Sequence, residues 1–392
     1  MIDDDLGLTP ARSAAELAEL EALRAEQRGL TARHLRTDDS FDALRDAFFA
    51  AHAGARPSPH PGARRYLRDG FLGLRGLAEE VLALRGRNVP AGDGFGATIS
   101  ALSTPDFPTI VSETARGISA ARSSVHLPDI LALTAPLEVQ NYNSQSYSSV
   151  DIEGVPTPGS LEYHEFSVPR VRLTGEEVQI ASVFARLIFS RQAIVNDDRN
   201  YFASAVRAFV AACHRNEMRM LIAKLEANAN LTDGRALFNA TDGNLITGSG
   251  EPSATTIKNV IAALRNTSLE GGDAADCKLA VLLVPAELEL SALTAARDLF
   301  PPSHQPSVVS SAYLSDATSW YAFGDPRLFP TIGRVKFVGA DDSAVSFSGL
   351  APAQQLDPQT GKTSEYNGLA LEASHSVGFS VLGRAGAVKV TV

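Results

Sequence analysis

The 392-residue chain predicts an α+β protein of two or three domains. Three observations carry that expectation. A strand-like run ending in SRQAIV meets the polar triplet Asn196, Asp197 and Asp198 and continues as a long stretch of helical periodicity, RNYFASAVRAFVAACHRNEMRMLIAKL. Over residues 236 to 338, helical patterns alternate with a wholly apolar strand, which suggests a compact α/β body. Beyond Thr331 strand-like runs dominate, in TIGRVKFVGADD, AVSFSGL, GLALEASHSVGFSVLG and AVKVTV.

Residues 11 to 88 read as two charged helical stretches, AAELAELEALRAEQRGL and YLRDGFLGLRGLAEEVLALRG, separated by the Pro-rich breaker Ala55 to Arg64. Their arginines are offset by acids such as Glu16, Glu19, Asp38 and Asp42, mixed signs that mark a solvated face. After the glycine-rich NVPAGDGFGA, the segment STPDFPTIVSETARGISAA places Ser, Thr and Asp ahead of an apolar-periodic run, a helix start. Two polar alternating runs, Leu137 to Ile152 and Ser160 to Leu173, flank GVPTPG and predict a long two-stranded hairpin. Such a ribbon cannot stabilise itself in water and is expected to lie against a neighbour.

Residues Glu177 to Val195 read as a strand returning to a core. Asn196, Asp197 and Asp198 then suit a helix N-terminus, where short polar side chains accept from free backbone N–H groups and acids complement the positive helix end. The helix is expected to run from Asp197 to about Ala227, with Phe202, Val206, Phe209, Cys213 and Met220 on the core stripe and Val210, Leu221 and Leu225 widening it. Within the α/β body, SATTIKNVIAALRN and AELELSALTAARDLF predict helices around the buried strand CKLAVLLVP.

The polar-glycine segment after the long helix reads (T/S)DG-x-ALF-x-A-x-x-GNL over residues 232 to 245. Strand, NDD, long helix and this motif, in that order, resemble the major head subunit of Mu-like tailed phages, including forms fused to a prohead protease. The S-T-x-D-F-P at residues 103 to 108 is similar to the opening of the capsid portion in those fusions. The resemblance covers about residues 100 to 392 and implies the Hong Kong 97-type capsid fold. On that frame, residues 1–97 are a helical N-terminal extension, scaffold-like or retained, and 98–136 an N-terminal arm. Residues 137–176 are an extended hairpin arm, 177–235 with 339–392 a peripheral domain holding the spine helix, and 236–338 an inserted axial domain. The extension is too short and too helical for the serine protease of the fused relatives.

Composition sets bounds on function. Hydrophobic residues make up 44% and charged residues 20%, ordinary for a globular protein. The acidic Met1 to Thr9 is unlike a signal peptide and no apolar run approaches the roughly 18 residues of a membrane span, so a soluble protein made in a cytoplasm is expected. A formal charge of −10 argues against a dedicated nucleic-acid binder, though not against a container into which a motor drives DNA. Only Cys213 and Cys277 are present, so there is neither a disulfide framework nor a zinc-type cysteine spacing.

Catalytic and metal signatures are not apparent: no P-loop, H-E-x-x-H, G-x-S-x-G or calcium loop occurs. The eight histidines are scattered, and His52 and His60, in or near the Pro-rich linker, are expected to be surface polar residues. His375 stands between Ser374 and Ser376, where a base would need catalytic partners that converge in space, a matter sequence spacing does not show. Asp233, Asp242 and Asn244 with their glycines are the best place for a metal or phosphate, but lack the alternate spacing of a calcium loop and read better as turn formers. The expectation is no catalytic, cofactor or metal site and no enzyme activity. From Pro136 to Val195 there is no lysine, so the arm cannot supply the amine of the isopeptide cross-links found in some capsids of this fold.

The resemblance implies a major capsid protein of a tailed double-stranded DNA phage or phage-like particle, assembled in the bacterial host cytoplasm and located in the virion. Its partners would be itself, as pentamers and hexamers, a portal, scaffold or decoration proteins, and enclosed DNA without sequence-specific binding. The alternatives are an encapsulin-like nanocompartment shell and a soluble enzyme using the loop at 232–250.

Overall fold

A computed structural model describes residues 39–54, 59–67, 72–90, 94–153, 170–196, 201–248, 250–269, 274–356 and 363–391. They form two compact units. One holds the described residues within Met1–Ala115, Ile188–Ala203 and Gly349–Leu371; the other those within Arg116–Leu187, Ser204–Ser348 and Glu372–Val392.

In the first unit residues 39–52 are helical (α1), followed by α2 (Leu74–Leu84) and α3 (Phe95–Ala101). The apolar spacing of α2 buries Leu74, Leu77, Ala78, Val81 and Leu82. Gly94 precedes α3 at φ 82°, a left-handed turn open to glycine at little cost. The long helix α4 (Asp106–Leu133) begins in this unit with an acid in its first turn. The strand returning toward the spine ends sooner than the sequence suggested: β4 is Ala181–Ser190, and RQAIVN is a short helix, α5 (Arg191–Asn196). The apolar run IFSRQAIV suits either element, and period cannot arbitrate over so few residues. Asp197 and Asp198 lie outside the described residues.

The second unit holds most of the spine helix α6 (Tyr201–Ala227), whose C-terminal end falls where expected. Phe202, Val206, Val210, Leu221 and Leu225 are buried, so the stripe advances through Val210, while Phe209 is only half-buried beside Phe347, ring centroids 6.1 Å apart. A four-residue step from Val206 reaches Val210, whereas Phe209 sits about 100° to one side of it.

The predicted first arm strand is two elements. Ala135–Val139 (β1) joins a sheet, parallel to β9 (Ile332–Phe337), and only Gln145–Glu153 (β2) enters the ribbon, antiparallel to β3 (Arg170–Val178). Polar alternation ran through both, and the bend at residues 141 to 143, where the Asn143 N–H donates to Asn141 Oδ1, separates them. The hairpin tip, GVPTPG, lies outside the described residues. The sheet containing β1 runs β1-β9-β11-β10, with β10 at Val345–Leu356 and β11 at Thr363–Val381; β4 pairs with β11 beside this path. Gly378 of β11 faces the Gln179 carbonyl too closely for any side chain.

A second sheet has the order β5-β12-β8-β6-β7, comprising Leu245–Thr247, Ala387–Thr391, Trp320–Phe323, Val281–Val284 and Ser307–Ser310 respectively. All four residues of β6 are buried, as the wholly apolar run implied. Strand alternation divides its faces. Leu282, Val284, Trp320, Ala322, Val388 and Val390 pack with α7 (Ala254–Asn266) and α8 (Glu289–Leu299). Val281, Leu283, Tyr321 and Phe323 join Leu221 and Leu225 of α6.

Strand membership therefore differs from the expected partition of residues in two places. β12, placed with the 339–392 segment, is an interior strand of this second sheet, and β9, counted within 236–338, pairs with β1 and β11. Alternation says that AVKVTV is a strand; it carries no information on which strand it pairs with.

Candidate functional site

The most concentrated chemistry among the described residues is a buried polar network in the second unit. It begins on α6, where His214 and Glu217 stand one turn apart between Val210 and Leu221, within the apolar stripe. Glu217 Oε1 accepts from His214 Nδ1 at 3.0 Å and from His375 Nε2, on β11, at 2.8 Å. Its Oε2 accepts from Nε of Arg334, on β9, at 2.8 Å. The Arg334 guanidinium also donates to the Asp342 carbonyl at 2.9 Å. On the far side of His214, Nε2 meets Ser123 Oγ of α4 at 2.8 Å.

Ser123, His214 and Glu217 thus repeat the connectivity of a nucleophile, a base and an orienting carboxylate. Their environment does not repeat its use. The three residues are 4%, 2% and 0% exposed, which leaves a substrate no approach to the hydroxyl. Glu217 is moreover committed to a guanidinium as well as to two imidazoles. Burial alone would raise its pKa, but the bonds from His214, His375 and Arg334, with the Arg334 charge, outweigh it and hold the carboxyl well below the ordinary range. What the arrangement does is fasten α4, α6, β9 and β11 together with mutually satisfied polar groups. Beside it, His126 is shifted down by burial and then by Arg122, His214 and Arg215.

His375 does not engage its neighbouring serines. Ser374 Oγ bonds Ser346 Oγ at 2.7 Å and Ser376 Oγ bonds Ser182 Oγ at 2.5 Å, while the imidazole points to Glu217. Strand alternation sends Ser374 and Ser376 to the face opposite His375. The expectation for His52 is also corrected: it is 4% exposed and its Nε2 lies 3.0 Å from the Leu72 carbonyl. His60 is half-buried, with its Nε2 2.9 Å from Asp39.

The acidic loop after α6 is self-neutralised. Arg384 clamps Asp233 through both oxygens at 2.7 Å, and Arg235 joins Asp233 to Asp242. The Arg384 clamp is the largest influence holding Asp233 well below the carboxylate range. Asn244 is buried, donating to the Leu237 carbonyl and accepting the Asn239 N–H. These contacts make the loop a brace between α6 and the second sheet, with its carboxylates already taken by arginines. Among the described residues no group of three or more His, Cys, Asp or Glu is placed to hold a metal, and no helix is long and apolar enough to cross a membrane.

The network of Ser123, His214, Glu217, Arg334 and His375 was missed in the sequence. Its one local signal is a polar pair three residues apart inside an apolar helical stripe; its other members are brought in from three separate elements.

Among curated proteins none matches the chain. Among solved structures, the SrpI encapsulin of Synechococcus elongatus PCC 7942 is 9% identical, with a TM-score of 0.43, covering 68% of this chain and 88% of its own. The capsid of cyanophage P-SCSP1u is 10% identical at a TM-score of 0.43, with coverage of 67% and 87%. A Microbacterium phage Oxtober96 structure is 12% identical at 0.44, with coverage of 67% and 90%. The family model described as phage capsid protein matches residues 180–390, more than half of the chain, from the strand before the spine helix through the last strand of the second sheet. The chain belongs to the phage capsid protein family.

Proposed function

We propose that this phage capsid protein is the major head subunit of a tailed phage, assembling as pentamers and hexamers into an icosahedral shell around double-stranded DNA. The observation that carries the reading is the β2–β3 ribbon: nine residue pairs, Gln145↔Val178 to Glu153↔Arg170, in a sheet that no third described strand joins. The base of the ribbon packs on its own subunit, through Val178 and Tyr147 beside Val139 and Val335; the remainder of a two-stranded ribbon needs a surface to lie on, and in a shell that surface belongs to a neighbouring subunit. Modest contacts to several neighbours then add up through multivalency. The motif at residues 232 to 245 favours the Mu-like branch, with a portal and a scaffold or decoration protein as further partners and the bacterial cytoplasm as the place of assembly.

Purified protein viewed by negative stain should show closed shells or capsomers. A small discrete oligomer under all conditions would overturn the proposal. Nuclease-protected DNA in native particles separates a phage head from an encapsulin-like compartment, which would hold protein cargo instead.

A further inference from the structure

The sequence reads residues 1–97 as a helical extension, scaffold-like or retained, and the described residues of that stretch, from 39 onward, contribute buried side chains to the core of the first unit, among them Leu44, Phe48, Leu77 and Leu82. Phe48 of α1 is fully buried, its ring 5.7 Å from that of Phe202 in the first turn of α6. Phe202 in turn lies 5.6 Å from Phe189 at the end of β4. His52 completes the cluster, 4.5 Å from Phe48 and edge-on to Phe202 at 5.3 Å, and its Nε2 meets the Leu72 carbonyl. Helices α2 and α3 both pack on α5, where Ile194 is 1% exposed, and the Arg191 guanidinium lies over the Phe95 ring. Polar ties point the same way: Arg85 reaches both oxygens of Asp106 while its guanidinium covers Phe41.

We infer that residues 39–101 are a permanent internal partner of the corner formed by Phe189, Ile194 and Phe202, so that maturation of the head does not remove them. A segment that leaves exposes the surface it covered. Here its departure would bare two phenylalanines and an isoleucine at the junction of β4, α5 and α6, and each such aromatic carries roughly 150–250 Å² of side chain. An exposed apolar patch of that size on a soluble subunit invites association with whatever is nearby. The module seals the corner. This holds at the level of the folded subunit, whatever particle the subunit builds.

The test uses the full-length chain with a specific protease site placed at residues 91–93, between α2 and α3. After complete cutting, the fragment ending near residue 90 should stay with the remainder on a native sizing column and separate only in denaturant. Phe48→Ala should release it about tenfold faster or more, given the usual cost of emptying a phenylalanine site. In native particles, mass spectrometry of the subunit should recover peptides from residues 39–90. Free separation of the cut fragment in native buffer would overturn the inference. So would release unchanged by Phe48→Ala, or mature subunits that begin after residue 101. Because the column assay scores unassembled subunits, it succeeds or fails independently of shell formation.

Discussion

Glu217 and Arg334 meet at 2.8 Å with side chains 0% and 2% exposed, an ion pair wholly withdrawn from water and bridging α6 to β9. Removing one partner strands the other. Glu217→Ala should destabilise the subunit by about 3–5 kcal/mol, measured by denaturant unfolding. Joining it to Arg334→Met should recover part of that loss, since the second change removes the orphaned charge. A double variant as damaged as the sum of its singles would mean the pair does not act as a unit.

The same carboxyl dictates an acid dependence. Its folded pKa lies below its ordinary value of 4.5, so its contribution is fully present above that value and is lost as pH falls toward the folded one. Asp233 is held down by Arg384, and Asp316, at about 2, by the hydroxyls of Ser319 and Thr318, and both carry the same sign. Unfolding midpoints should decline below about pH 4.5, and Glu217→Gln should flatten that decline. An unaltered slope in the variant would assign the acid sensitivity to other carboxylates.

Two phenylalanines seven residues apart on the spine should respond differently. Phe202 is 2% exposed, and its truncation to Ala is expected to cost about 3–5 kcal/mol. Phe209 is half-buried beside Phe347, and the same truncation should cost clearly less. Thermal melts of the two variants decide it, and equal losses would place Phe209 in a better-packed setting than the described one.

Both thiols should be silent in the native protein. Burial, then the nearby Glu217 charge, pushes Cys213 up to about 12; burial, then Asp325 and Asp276, pushes Cys277 up to about 11. A thiol-specific reagent at pH 8 should label neither until denaturant is added. Rapid labelling of Cys213 in native protein would reveal opening of the spine helix from its sheet.

The β2–β3 ribbon should exchange its amide hydrogens quickly in isolated subunits and slowly in assembled shells, as followed by mass spectrometry. Equal protection in the two states would show that the ribbon is stabilised within its own subunit.

What could be read in the sequence was what local chemistry encodes. The apolar run of β6, the helical period of α6 and the turn residues around Asp233 each follow from neighbours a few positions away. Illegible were matters of partnership: that β12 slots between β5 and β8, that Arg334 and His375 converge on Glu217, and that Phe48 reaches Phe202 across more than 150 residues. Phe209 was expected on the core stripe with Val210 widening it; the four-residue step from Val206 favours the valine, which is buried, and leaves the phenylalanine half-buried. His52 was misjudged because a proline-rich neighbour suggested solvent, whereas its imidazole is enclosed by two aromatic rings.

The place of β12 has a bearing on synthesis. Strands β5 and β8 are joined only through residues 387 to 391, so while a ribosome is still making that stretch the second sheet stands open along its middle. A nascent or prematurely ended chain would therefore present two unpaired strand edges where a finished one presents a closed surface. Closure of this sheet therefore waits on the last of its five strands in chain order.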